Sequence, residues 1–227
     1  MTHQIYPHGL PKEVVPDLWQ VRGSLPMPLS RRMTIVRLHD GSLLLHSVIA
    51  MNEEGMASLE SIGRPSVIVI PHQLHLMDAG FYADRYPSAS VVAGPVSRKK
   101  LTAGGVRVDA SLDEVLPAID VHPHLVPALR YEEVVCDVPV QRGRALLFTD
   151  LIAEGARKGV LGKLMGAAGG SGVPRFVKLR QIRSRRTVRR FLAELAETPS
   201  IEAVTAAHSR PVTDDCAGWL TRASANC

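Results

Sequence analysis

Three separated segments of this chain share one pattern: a short apolar run that ends just before a side chain able to bind a metal. Residues 66–70, Ser-Val-Ile-Val-Ile, lie between Pro65 and Pro71 and precede His72, with His75 in the same loop. Residues 144–149 lead into Asp150, and residues 201–205 lead through Ala206 and Ala207 to His208. A β-branched run bounded by prolines suits a buried central strand. In sheets flanked by helices, ligands gather beyond the strand ends. The chain is therefore constrained to a fold in which three strand ends can meet.

The remaining segments fit such a fold. Residues 18–22, 33–38 and 43–48 read as strands, the last two joined by a turn at Asp40-Gly41, a hairpin signal. Residues 51–62 place Met56, Leu59 and Ile62 near helical spacing, with Gly63 as the stop. A helix over 79–86 and a strand over 90–93 complete a βαβ-like unit, with Gly94-Pro95 ending the strand. Residues 106–127 are proline-rich and weakly patterned, so a short strand and loops are expected. Residues 131–137 and 144–149 predict a hairpin turning near Gln141-Arg142-Gly143. Residues 151–165 read as helical and 166–174 as a glycine-rich break. Residues 185–196 carry Val188, Phe191, Leu192 and Leu195 at i, i+3, i+4 and i+7, an amphipathic helix. A strand over 201–205 and a short helix after Asp214 close the chain.

With 227 residues, 45% of them hydrophobic and 22% charged, the expectation is one domain over 1–227 with a sizeable core. No apolar run reaches the roughly 18 residues of a membrane span, and the first residues lack the pattern of a signal peptide. That reading predicts a cytoplasmic protein with no membrane partner. Cys136, Cys216 and Cys227 are an odd set without C-x-x-C spacing, which points to reduced thiols rather than a disulfide framework or a thiolate zinc site.

Imidazole nitrogens together with a carboxylate suit Zn²⁺, Mn²⁺ or Fe²⁺, and a catalytic zinc needs about three protein ligands and an open water position. His72, His75, Asp150 and His208 supply that number. A metal bound there would lower the pKa of its water towards about 7 and yield hydroxide as a nucleophile at neutral pH. Hydrolysis of a small-molecule substrate is the natural chemistry.

On these residues the chain resembles the metallo-β-lactamase superfamily. The order of features matches over nearly its whole length: an N-terminal hairpin, Ile-Pro-His72-Gln-Leu-His75-Leu-Met-Asp78-Ala-Gly80, Leu-Leu-Phe-Thr-Asp150 and Ala-Ala-His208-Ser-Arg-Pro. The resemblance implies an α/β fold, a four-layer αββα sandwich. It also implies a metal site in which Asp150 and His208 take the family's late aspartate and C-terminal histidine. The activity implied is metal-dependent hydrolysis of an ester, thioester, lactone or phosphoester, with Asp150 binding or orienting the metal. The sequence departs from the family's H-x-H-x-D-H: the spacing here is H-x-x-H, and the following acid is present only if Asp78 stands in as a further catalytic residue. A middle histidine has no clear counterpart, with His122, His124, Cys136 and Asp137 the candidates in that region. The departures favour one ion over two. They leave open a metal-depleted member of the fold that serves as a binding or interaction module.

Several of these residues have structural readings beside the functional ones. Asp78 before Ala79-Gly80, and Asp150 before Leu151, are each natural helix N-caps. His46, inside an apolar strand, reads as a core histidine or a support to the site rather than a ligand. Between Arg175 and Arg190 there are eight Lys or Arg and no acid. Guanidinium groups there can pair with phosphate. Much of the stretch, however, is the polar face of the 185–196 helix, and it lacks interleaved aromatics, which disfavours a nucleic-acid partner. The run Gly169-Gly170-Ser171-Gly172 is not a phosphate loop, since no strand precedes it and no G-K-[ST] follows.

Overall fold

Two sheets packed face to face hold the three strand ends at one edge of the protein. The computed structural model describes residues 4–25, 30–154 and 172–227. The first sheet has seven strands in chain order: β1 (Lys12–Val15), β2 (Leu18–Ser24), β3 (Ser30–Arg37), β4 (Leu43–His46), β5 (Pro65–Ile70), β6 (Ser90–Ala93) and β7 (Ala110–Ser111). Its first four strands are antiparallel and β4 to β7 run parallel. The Asp40-Gly41 turn joins β3 to β4 as expected, with Gly41 in the left-handed region at φ 81°. Parallel neighbours need crossovers, and helices α1 (Glu53–Ile62), α2 (Ala79–Arg85) and α3 (Pro95–Ala103) provide them.

The second sheet has four strands in the order β11-β10-β9-β8: β8 (His122–Leu125), β9 (Val134–Val140), β10 (Gly143–Leu147) and β11 (Ile201–Thr205). A short helix α4 (Leu112–Val115), started by a capping box from Ser111 and Glu114, links the sheets. Helices α5 (Arg175–Arg180), α6 (Arg185–Ala196) and α7 (Cys216–Ala225) cover the outer face of the second sheet.

The core divides into three slabs that give the layers their order. Met56, Leu59, Tyr82 and Leu101 of α1 to α3 pack on Met33, Ile35 and Ile68. Leu18, Val36, Leu44 and Val69 of the first sheet meet Cys136, Val138, Leu147 and Ala203 of the second. Val188, Leu192 and Leu195 of α6 pack with Trp219 and Leu220 of α7 against Leu146 and Val204. The alternation of inward and outward residues along each strand sets these assignments. The result is the expected αββα sandwich.

One local expectation is extended and two are corrected. The strand β6 does end at Gly94-Pro95, but Pro95 also opens α3, because a missing N–H costs nothing at a helix's first position. Asp150 does not cap a helix: residues 151–154 are not helical, and Ala153 pairs instead with Gly172. The rest of the predicted 151–165 helix, from 155, and residues 166–171 of the glycine-rich break lie outside the described residues. Asp78 holds the N-cap position of α2, yet its side chain makes no capping hydrogen bond.

Candidate metal centre

The parallel register of β10 and β11 places Asp150 and His208 side by side. Leu147 pairs with Thr205, and each candidate ligand lies three residues further along its strand. Pairing continues past the strand ends, with Phe148 N–H on Thr205 C=O at 2.8 Å and Ala207 N–H on Thr149 C=O at 3.1 Å. From the opposite sheet, β5 delivers Pro71 and His72. There Val134 N–H donates to Pro71 C=O at 2.8 Å, and His72 pairs with Glu133 as an isolated antiparallel bridge. The two sheets are thus stitched together next to the ligands.

A tight turn explains how H-x-x-H can converge. His75 N–H donates to His72 C=O at 3.0 Å, an i to i+3 closure. It folds the second ring back on the first, with ring centroids 5.3 Å apart. His75 and His208 rings lie 5.2 Å apart. Asp150 sits at the meeting point: its Oδ1 is 3.2 Å from Nε2 of both His75 and His208, and its Oδ2 is 3.8 Å from Nε2 of His72. Donor atoms of His72, His75 and Asp150 all fall within 4.8 Å of one another.

The hydrogen bonds on the far side of each ring decide what it offers. His208 Nδ1 lies 2.7 Å from Ser30 C=O. A carbonyl only accepts, so Nδ1 carries hydrogen and a neutral ring presents a lone pair at Nε2. Two acceptors, Nε2 and Asp150 Oδ1, then face each other at 3.2 Å, which is unfavourable unless a proton or a cation lies between them. His75 Nδ1 is 2.8 Å from Ser47 Oγ. A hydroxyl serves either tautomer, so His75 can present Nε2 as a donor or as a ligand. Ser47 holds this position with φ at 57°, a left-handed conformation that a serine adopts at some cost.

His72 is different. Leu74 N–H donates to its Nδ1 at 3.0 Å, so in the neutral ring the hydrogen is on Nε2, which is buried without a partner. Burial, against the opposing charge of Asp150, pushes His72 down to about 4. To ligate through Nε2 it must give up that hydrogen, whereas His208 and His75 need no such change. The ligand atoms of His72, His75 and Asp150 group closely enough, and are of the right chemistry, to fit a divalent ion. His208 stands beside that group, 3.2 Å from Asp150, and His72 would ligate through Nε2 on tautomer reversal.

Beneath Asp150 lies a residue without a sequence signal, Glu133. It is fully buried, and its Oε1 accepts the amides of Thr149, Asp150 and Leu151 at 2.9, 3.1 and 3.2 Å. Burial first, and then the charge of Asp150, push its carboxyl up to about 7. An acid before the apolar run Val134-Val135-Cys136 reads as a solvated strand entry, and only the tertiary fold turns it inward. Burial alone would also raise Asp150, but the hydrogen bonds and charges of His208 and His75 outweigh it and hold Asp150 well below the usual carboxylate range.

Asp78 is not brought to this cluster. Its buried Oδ2 accepts Ala50 N–H at 2.9 Å and lies 2.5 Å from Arg31 Nη2. The contact with Arg31 is an ion pair and not an aligned hydrogen bond, since Nη2 has no hydrogen-bond partner. None of the four candidates for a middle histidine joins the cluster either. His122 and His124 sit on edge strand β8, Asp137 pairs with Arg144 at 2.7 Å, and Cys136 is buried between the sheets, where its thiol is pushed up to about 12. His46 is buried on β4, and burial and His75 push it down to about 3, as suits a core histidine. The three cysteines are free and buried. Among the described residues, no helix is long and apolar enough to cross a membrane.

The layers and the site edge define a class, the αββα sandwich with candidate ligands at its strand ends. Solved structures make the class specific. DIM-1 metallo-β-lactamase superposes with a TM-score of 0.65 at 11% identity, over 98% of this chain and 99% of that one. FIM-1 metallo-β-lactamase from Pseudomonas aeruginosa, in its mono-zinc form, gives 0.64 at 12% identity, over 98% and 96%. A metallo-β-lactamase from Erythrobacter litoralis gives 0.61 at 12%, over 96% of each chain. The chain has the metallo-β-lactamase fold. No protein-family profile and no curated protein sequence matches it.

Proposed function

We propose that the protein is a metal-dependent hydrolase working with a single divalent ion, Zn²⁺ or otherwise Mn²⁺ or Fe²⁺, held by His75, Asp150 and His208 with His72 as a fourth ligand. The observation that carries this reading is the approach of His208 Nε2 to Asp150 Oδ1 at 3.2 Å while Nδ1–H is committed to Ser30. A bound cation resolves that opposition. The ion would supply Lewis acidity, acidifying a water and polarising the bond to be cut. The chain's own part is positional: Ser30 and Ser47 orient two rings, and Glu133 fixes the backbone that carries Asp150. An ester, thioester, lactone or phosphoester is the substrate range such chemistry serves. A mono-zinc form is also the state named for the FIM-1 neighbour.

The test is hydrolysis of a panel of those four bond types by protein assayed for metal content, with Asp150→Ala as control. Metal-dependent turnover that the control lacks supports the proposal, and a metal-containing protein inert on all four classes removes it. One observation favours the second reading, a non-catalytic binding module. The Leu74 N–H bond to His72 Nδ1 keeps one ring in the tautomer that does not bind metal through Nε2. Under that reading the purified protein carries no stoichiometric metal.

A further inference from the structure

Three arginines lie on the segments that border the candidate metal centre, and among the described residues none of them is paired with an acid. Arg22 on β2 and Arg32 on β3 are directly opposite in the antiparallel register, two pairs beyond Gln20 and Thr34. Alternation puts both on the inner face of the first sheet, in line with Leu18 and Val36 of the inter-sheet core. Arg210 follows His208 by two residues, in a loop whose ends are tied by the Val204–Val212 bridge. Ser30, two residues before Arg32, is the residue that holds His208 at 2.7 Å. Burial first, then the charges of Arg22 and Arg210, lower the pKa of the half-buried Arg32 guanidinium, so the three are within electrostatic reach.

Like charges directly across a strand pair are destabilising, and among the described residues no carboxylate pairs with them. Arg32 has a long hydrogen bond to the neutral Gln20 amide at 3.5 Å, and among the described residues none of the three arginines has an ion pair with a carboxylate. The undescribed residues cannot provide one, because 1–3, 26–29 and 155–171 contain no Asp or Glu. Arg22 and Arg210 are exposed and Arg32 is half-buried, so their guanidinium groups stay open to an oxyanion, which such fork-shaped donors pair with well.

We propose that Arg22, Arg32 and Arg210 form an oxyanion-binding subsite next to the metal centre, and that the substrate carries a phosphate group seated there. A phosphate dianion matches the concentration of positive charge better than a single carboxylate does. The word substrate rests on the hydrolase reading above, whereas the subsite itself is open to test without catalysis.

The experiment is titration of the purified full-length protein with inorganic phosphate, followed by calorimetry and by the thermal midpoint, against sodium chloride at equal ionic strength. Phosphate is expected to bind and to raise the midpoint beyond chloride. The Arg32→Gln/Arg210→Gln double variant should bind it at least about tenfold more weakly, as loss of charged hydrogen bonds implies. Without phosphate, Arg32→Gln should melt no lower than the parent, since it relieves repulsion. Asp150→Ala should keep its phosphate response, which separates this subsite from phosphate held by the metal. Absence of a phosphate effect over chloride, or unchanged binding in the double variant, overturns the proposal. If phosphate binding persists in a protein that holds no metal and cleaves no ester, the hydrolase reading fails alone. If metal-dependent cleavage of a neutral ester occurs without phosphate binding, the subsite fails alone.

Discussion

Glu133 Oε1 accepts the backbone amide of Asp150 at 3.1 Å, so a buried acid of the second sheet fixes the position of the carboxylate at the centre of the site. The same oxygen takes the amides of Thr149 and Leu151. Removing it strands three buried donors, each worth about 1 kcal/mol or more. Glu133→Ala is expected to lower unfolding free energy by about 3 kcal/mol or more and to weaken metal retention. Glu133→Gln keeps an acceptor and should cost less on both counts. Denaturant unfolding and metal analysis of the two variants check this, and equal losses for Ala and Gln would contradict it.

The Arg31–Asp78 pair gives a second prediction. Both side chains are buried, and among the described residues the carboxylate has only Ala50 N–H besides the guanidinium. Arg31→Met leaves a buried charge uncompensated and should destabilise by about 3–5 kcal/mol, while Arg31→Met/Asp78→Asn should recover much of it. If Asp78 acted instead in the chemistry, Asp78→Asn would abolish hydrolysis with stability unchanged.

Acid stability follows from two buried imidazoles. His46 and His72 are pushed down to about 3 and about 4, burial being the main cause for each. The folded state binds these protons less readily than the unfolded chain, whose histidines titrate near about 6.5. Their contribution is therefore intact above about pH 6.5 and is lost as pH falls towards the folded values, by about 1.4 kcal/mol per pH unit for each ring. Urea unfolding at pH 7 and pH 4.5 should show the decline, and His46→Leu should remove about one proton's share of it. An unaltered slope in that variant would contradict the assignment.

The strand ends were legible because their pattern is a local one. Residues 66–70, 144–149 and 201–205 announce strands by composition, and a parallel register then brings Asp150 and His208 together at equal distance from Leu147 and Thr205. The resemblance to known αββα proteins supplied the layers. Glu133 escaped because its burial depends on a bridge to His72 across two sheets, a contact between residues 61 positions apart in the sequence. Ser47 and Ser30 escaped for the same reason, each contributing one long-range hydrogen bond, Ser47 through its hydroxyl and Ser30 through its backbone carbonyl. The helix-cap readings of Asp78 and Asp150 rested on local preference, which an arginine partner and a non-helical 151–154 segment overrode.

The central claim is that His75, Asp150 and His208, with His72, hold one divalent ion. The most direct measurement is elemental analysis of protein purified after growth with zinc and manganese, for the parent chain and for Asp150→Ala and His208→Ala variants shown to be folded. The parent is expected to hold about one ion per chain and either variant little. A parent chain free of stoichiometric metal, or variants that keep the parent's metal content, would contradict it.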